Sequence, residues 1–190
     1  LQELIADELV SPFNIARQVR LPDFTKEEVW KLACTNQAWH VDQTHEIADH
    51  TYYWANGQPY LTQWIFSNLN SQASQRDIDE CIYKLRIEDK NHIPPMFRKL
   101  NKNLQLDQYL RRIFVGEQLK FYPNENHLQS QLELIGWITS NKDKCCHIRN
   151  RIYSTLLEDH YKDSDISADQ NAGEASHPLT ENRPVIRSNA

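Results

Sequence analysis

Apolar residues recur at helical spacing along most of the chain. Val29, Leu32 and Ala33 share a face, and Thr25 followed by Glu28 is a capping-box pattern, so a helix is expected from about Lys26 to Ala38. A second, near Gln43 to Ala55, would bury Ile47, Ala48, Thr51 and Trp54 or Ala55. A third begins at Pro59 and carries Leu61, Trp64, Ile65 and Leu69. Ser74 caps a fourth, with Ile78, Cys81, Ile82 and Leu85 as its stripe. His92-Ile93-Pro94-Pro95 breaks the pattern and marks the best internal boundary. Beyond it a helix is expected over Met96 to Leu100 and another from Leu104 to Val115, with Leu106, Tyr109, Leu110, Ile113 and Phe114 inward and Gly116 ending it. Pro123 opens a third, with Leu128, Leu132 and Ile135 facing a core before Gly136. Trp137-Ile138-Thr139, a polar turn and Cys145-Cys146-His147-Ile148 read as a short hairpin, and Ile152, Tyr153, Leu156 and Leu157 stripe a last helix. Three short helices, a hairpin and a final helix are the order of a winged helix.

The expected fold is therefore mainly α: a four-helix unit over 25–92, then a winged helix over 93–162. Residues 1–24 read as an extended lead-in, because Pro12 and Pro22 disfavour helix before them. From Asp163 onward Asp, Ser, Asn, Ala, Glu and Pro dominate, and 163–190 is expected to be a disordered tail that buries too little to offset chain entropy.

The most informative local pattern is Trp54-Ala55-Asn56-Gly57-Gln58-Pro59-Tyr60-Leu61. Asn56-Gly57 offers a left-handed helix end, and Pro59 suits a first helical turn that needs no N–H donor. Two helices must then meet at a fixed, tight angle. Such a corner is either plain architecture or a rigid apolar surface and helix N-terminus presented to a ligand.

Composition narrows the function classes. Only four glycines occur in 190 residues, and neither GxxxxGK[ST] nor GxGxxG is present, so nothing here cradles a triphosphate unaided. The formal net charge of -5 gives no general attraction to nucleic acid or to an anionic membrane. No apolar run is long enough to span a bilayer and the first residues lack the pattern of a signal peptide, so a cytoplasmic protein is expected, with Cys34, Cys81, Cys145 and Cys146 reduced. The first residue is leucine, and a piece of a longer protein is expected.

Several residue clusters invite chemistry. Asp42, His45, Glu46, Asp49 and His50 suggest a metal, but His45 and His50 lie five residues apart, about 140° around a helix at about 100° per residue. A solvated helix face explains them better. Cys145-Cys146-His147 lacks a second ligand pair, and neighbouring strand residues point to opposite faces. No GxSxG-type nucleophile motif is present. In a winged helix the third helix would read a DNA groove, yet 124–133 holds two glutamates and no lysine or arginine. Arg111, Arg112, Arg149 and Arg151 either form a basic patch or pair with carboxylates and helix dipoles, and the pairing is favoured. A DNA-binding winged-helix regulator stands as the alternative function.

Taken in order, Ser11-Pro12-Phe13-Asn14-Ile15, Leu21-Pro22-Asp23-Phe24-Thr25, Asn56-Gly57-Gln58-Pro59-Tyr60-Leu61, Gly116-Glu117 with Phe121-Tyr122-Pro123, Gln131-Leu132-Glu133-Leu134-Ile135-Gly136 and Ile148-Arg149-Asn150-Arg151-Ile152-Tyr153 resemble the C-terminal part of the AAA-like ATPases of bacteria. That family is related to the STAND signalling ATPases. The resemblance covers residues 5 to 160 and implies a helical lid followed by a winged helix, attached after a P-loop core. It implies that Gly57, Gln58 and Pro59 form the lid's Gly-x-Pro corner, with the proline near the adenine of ATP or ADP and helix N–H groups approaching the phosphates. The P-loop and the Walker B acid would belong upstream of Leu1. The implied role is nucleotide sensing and conformational coupling in the intact protein, with an upstream nucleotide-binding core and an effector domain as partners. No catalytic residue is assigned within the chain.

Overall fold

A computed structural model describes residues 22–35 and 39–174, with side chains described as far as Lys162. The lead-in before Pro22 and the tail beyond Glu174 lie outside the described residues.

The mainly helical expectation holds. Helices α1 (Lys26–Cys34), α2 (Val41–Ala55), α3 (Pro59–Ser67) and α4 (Gln75–Glu88) form the first unit. Helices α5 (Ile93–Asn101), α6 (Leu104–Phe114) and α7 (His127–Ile135), strands β1 (Ile138–Ser140) and β2 (Cys146–Ile148), and α8 (Arg151–Glu174) follow, in the order of a winged helix.

Local chemistry sets the boundaries. Thr25 Oγ1 accepts from the Glu28 N–H at 3.2 Å while Glu28 Oε2 accepts from the Thr25 N–H at 2.8 Å, which completes the capping box of α1. Ser74 and Asp77 do the same for α4. Helix α1 ends at Cys34 rather than running to Ala38, and 36–38 are not among the described residues.

Three expectations shift. The pattern breaks between Glu88 and Ile93 as expected, but Pro94 and Pro95 lie inside the first turn of α5 rather than ahead of a helix starting at Met96, because no intrahelical N–H is needed there. The Asp89 carboxylate anchors that turn by accepting from the backbone N–H groups of His92 and Ile93 at 3.0 and 2.5 Å. Pro123 does not open α7; it sits in a turn, and the helix begins after Asn126, whose Oδ1 accepts from the Gln129 N–H at 3.1 Å. The last helix also crosses the boundary assigned at 162 and runs on to Glu174. Composition suggests an unanchored tail there, but Ile152, Tyr153, Leu157 and Tyr161 bury the start of this helix, and no proline follows within it. Once nucleated, a helix propagates through polar residues at one new backbone bond each.

The hairpin pairs Ile138 with Ile148, Thr139 with His147 and Ser140 with Cys146, antiparallel. Lys120 adds an isolated bridge to Cys145 on its other side. Cys145, which makes that bridge just before β2, and Cys146 are both buried. The core is one hydrophobic cluster that includes Ile47, Leu61 and Leu85 of the first unit and Leu110, Trp137 and Tyr153 of the second.

Candidate functional site

Asn56 ends α2 in the left-handed region (φ 49°), and Gly57 follows with φ 75°. The next residue, Gln58, is the N-cap of α3: its side-chain Oε1 accepts from the Leu61 N–H at 2.6 Å, and its carbonyl accepts from the Thr62 N–H at 2.9 Å. Pro59 is the first helical residue, as its fixed φ and missing donor favour. Gly57 and Gln58 are buried, Pro59 is half-buried, and Asn56 and Tyr60 are exposed.

The corner is pinned from outside. Phe24 donates its N–H to the Gly57 carbonyl at 2.8 Å, and the lead-in backbone lies so close that a Cβ on Gly57 would collide with the Phe24 carbonyl. Next to Phe24, Asp23 accepts a two-pronged hydrogen bond from Arg149, Nε at 2.9 Å and Nη2 at 2.5 Å. Arg149 lies between β2 and α8. Its carbonyl accepts from Asn56 Nδ2 at 3.1 Å, and its N–H donates to the Trp137 carbonyl at 3.0 Å. Burial works against the Arg149 charge, but the hydrogen-bonded Asp23 carboxylate prevails and holds its pKa above the ordinary value. Lead-in, helix corner and second unit thus meet within a few side chains.

A second polar cluster adjoins it. Tyr60 Oη donates to Asp89 Oδ1 at 2.8 Å, the Tyr60 and His92 rings lie 4.4 Å apart, and His92 Nε2 is 2.5 Å from Tyr153 Oη. Burial, reinforced by Asp89, pushes the Tyr60 hydroxyl up to about 12. Burial likewise raises the Tyr153 hydroxyl. Phenols displaced this far from neutrality stay protonated and serve this face as hydrogen-bond donors.

The remaining candidates disperse. His50 Nε2 lies 2.8 Å from Asp79, Asp49 pairs with Lys26 at 3.0 Å, and His45 stacks on Trp30. Among the described residues no group of three or more His, Cys, Asp or Glu could hold a metal ion. Burial raises the Cys146 thiol to about 11, which disfavours the thiolate a nucleophile needs. Arg112 binds Glu117 at 2.7 and 2.5 Å, Arg111 lies over Tyr161, Arg151 lies over Tyr53 at 4.1 Å, and Arg149 holds Asp23. Arg112 and Arg149 pair with carboxylates as expected, whereas Arg111 and Arg151 lie over tyrosine rings. Sequence reasoning named Asp23 and Asn56 only within longer motifs and gave neither a site role. It named Arg149 among four arginines and within the 148–153 motif, but nothing local marks a partner 126 residues away.

A family model for the AAA-like domain matches residues 4–159, most of the chain. The chain belongs to the AAA-like domain family. Membership places it in an ATPase-like, nucleotide-related family, and the match to this AAA-like domain runs through lead-in, corner and second unit alike. Comparison with curated proteins and with solved structures finds no match. Among the described residues of the AAA-like domain no helix is long and apolar enough to cross a membrane.

Proposed function

We propose that this AAA-like chain is the helical lid and winged helix of a STAND-type ATPase, and that it senses ATP or ADP and couples the nucleotide state to movement. The observation that carries this reading is the Gly57-Gln58-Pro59 corner, a rigid, partly exposed turn against which the lead-in is pinned. Pro59 supplies a fixed apolar edge for the adenine. Gln58 already occupies the Leu61 N–H, so the phosphates fall to groups of an upstream core rather than to this end of α3. A nucleotide that touches Pro59 in one lid position and not in another shifts the balance between the two by its differential affinity, which is what a sensor requires.

The partners on this reading are an upstream nucleotide-binding core and an effector domain, and the setting is the cytoplasm. No observation favours a DNA-binding regulator: α7 carries no lysine or arginine, and the four candidate arginines are engaged. The test is nucleotide affinity of the protein that joins this chain to a P-loop core, native and Pro59→Ala. Alanine is tolerated at the first helical position, so helix content and melting by circular dichroism should change little while affinity falls. Equal affinities would leave the corner as architecture only.

A further inference from the structure

We propose that Asp23, Asn56 and Arg149 form a releasable clamp that holds the second unit against the four-helix unit, with the segment ahead of α1 as its handle. The inference concerns how the units are held together and stands whether or not Pro59 meets a nucleotide.

Three segments converge on one residue. The Arg149 guanidinium grips the Asp23 carboxylate through two bonds, and its carbonyl takes the Asn56 side chain. Asp23 and Arg149 are each about three-quarters withdrawn from solvent, with side chains 22% and 24% exposed, so the pair is screened far less than a surface bridge. A planar guanidinium meeting a carboxylate through two donors also fixes direction, which a single-point contact does not.

Two further polar links join the units beside the hydrophobic cluster they share. Arg151 at the start of α8 lies over Tyr53 of α2, and Arg86 of α4 pairs with Asp159 of α8. The clamp differs from these links in its attachment. Asp23 is followed directly by Phe24, whose N–H is bonded to the Gly57 carbonyl, so a pull on the lead-in acts on the corner and on Arg149 together. Withdrawing Asp23 leaves Arg149 charged and half-buried without its carboxylate, and that favours turning its side chain toward water. Position of the lead-in is thereby converted into position of the second unit.

The clamp is tested by pulsed electron resonance between spin labels on Cys34, the exposed native cysteine of the first unit, and on Lys142→Cys in the hairpin turn of the second. Native pairing should give one narrow distance distribution. Asp23→Asn and Arg149→Gln should each broaden it toward longer distances while circular dichroism shows unchanged helix content, and the exchange Asp23→Arg with Arg149→Asp should restore it in part. Should Arg149→Gln fail to fold, Asp23→Asn decides alone, since it keeps the backbone and side-chain shape. A distribution unmoved by Asp23→Asn overturns the clamp. So does broadening that the exchange leaves unrelieved, because the effect would then not belong to the pair.

Discussion

At the scale of the single residue, Gly57 shows how backbone conformation and space act together. Gly57 and Gly116 both have positive φ, 75° and 93°, so any side chain at either meets a left-handed backbone. Their surroundings differ: a Cβ at Gly116 meets nothing within 4 Å, whereas one at Gly57 runs into the Phe24 carbonyl, with its carbon at 2.8 Å. Gly116→Ala should therefore cost about 1–2 kcal/mol from conformation alone. Gly57→Ala adds the displacement of a backbone group that cannot rotate away, and should cost a further ~1–3 kcal/mol. Denaturant titration of the two variants checks this, and equal losses would show that the lead-in yields at no cost. Because Phe24 also bonds to the Gly57 carbonyl, the damage at Gly57 should extend to the placement of Asp23.

At the scale of the element, the start of α5 carries a pH dependence. His92 precedes α5 and faces Asp89, Tyr60, Tyr153 and Arg149. Burial depresses its pKa, Asp89 opposes and Arg149 assists, and the net direction is below the ordinary value. As pH falls the unfolded chain therefore binds the proton first, so stability present above the unfolded value is lost as pH falls through the folded one. Melting temperature should decline from about pH 7 to about pH 5, and His92→Gln should flatten that decline. Asp89 does not confound the test: its pKa is held low despite burial by the backbone N–H groups it accepts, so its own loss comes at more acid pH. Parallel profiles for native protein and variant would place the dependence elsewhere. This junction also shows what was legible in the sequence. Thr25 with Glu28, Ser74 and Asn56-Gly57-Gln58-Pro59 carry their structural instruction within a few residues, and those boundaries fall where expected. Pro94, Pro95 and Pro123 do not, because proline fits a first turn, a break or a loop, and Asp89 or Asn126 settles which. The extension of α8 was hidden because its polar residues inherit helix from a start buried by tertiary packing. The clamp was hidden for a further reason: Asp23 and Arg149 are 126 residues apart, and no local pattern pairs them.

At the scale of the whole molecule, the distribution of chemistry bears on catalysis. One hydrophobic cluster ties both units together, and at the corner and its clamp Asp23, Arg149, Tyr60 and Asp89 are paired with one another or with backbone N–H groups. Phosphoryl transfer needs a loop that cradles the β- and γ-phosphates, a lysine to neutralise them and a hydroxyl or carboxylate to hold magnesium. The four glycines of the chain stand at 57, 116, 136 and 173, none within a GxxxxGK[ST] pattern. The described residues offer no cluster of His, Cys, Asp or Glu able to hold a metal, and the corner's first helical N–H groups are partly taken by Gln58. The 190-residue chain by itself should accordingly release no phosphate from ATP above background and bind the nucleotide weakly. Addition of a P-loop core should supply hydrolysis that the chain modulates without performing. Phosphate release followed on the purified chain checks this, with Pro59→Ala and Asp23→Asn as companions. Steady turnover that a point substitution within these residues abolished would mean that a catalytic site exists in the chain itself, and would defeat the assignment of sensing to the lid and bond-breaking to the core.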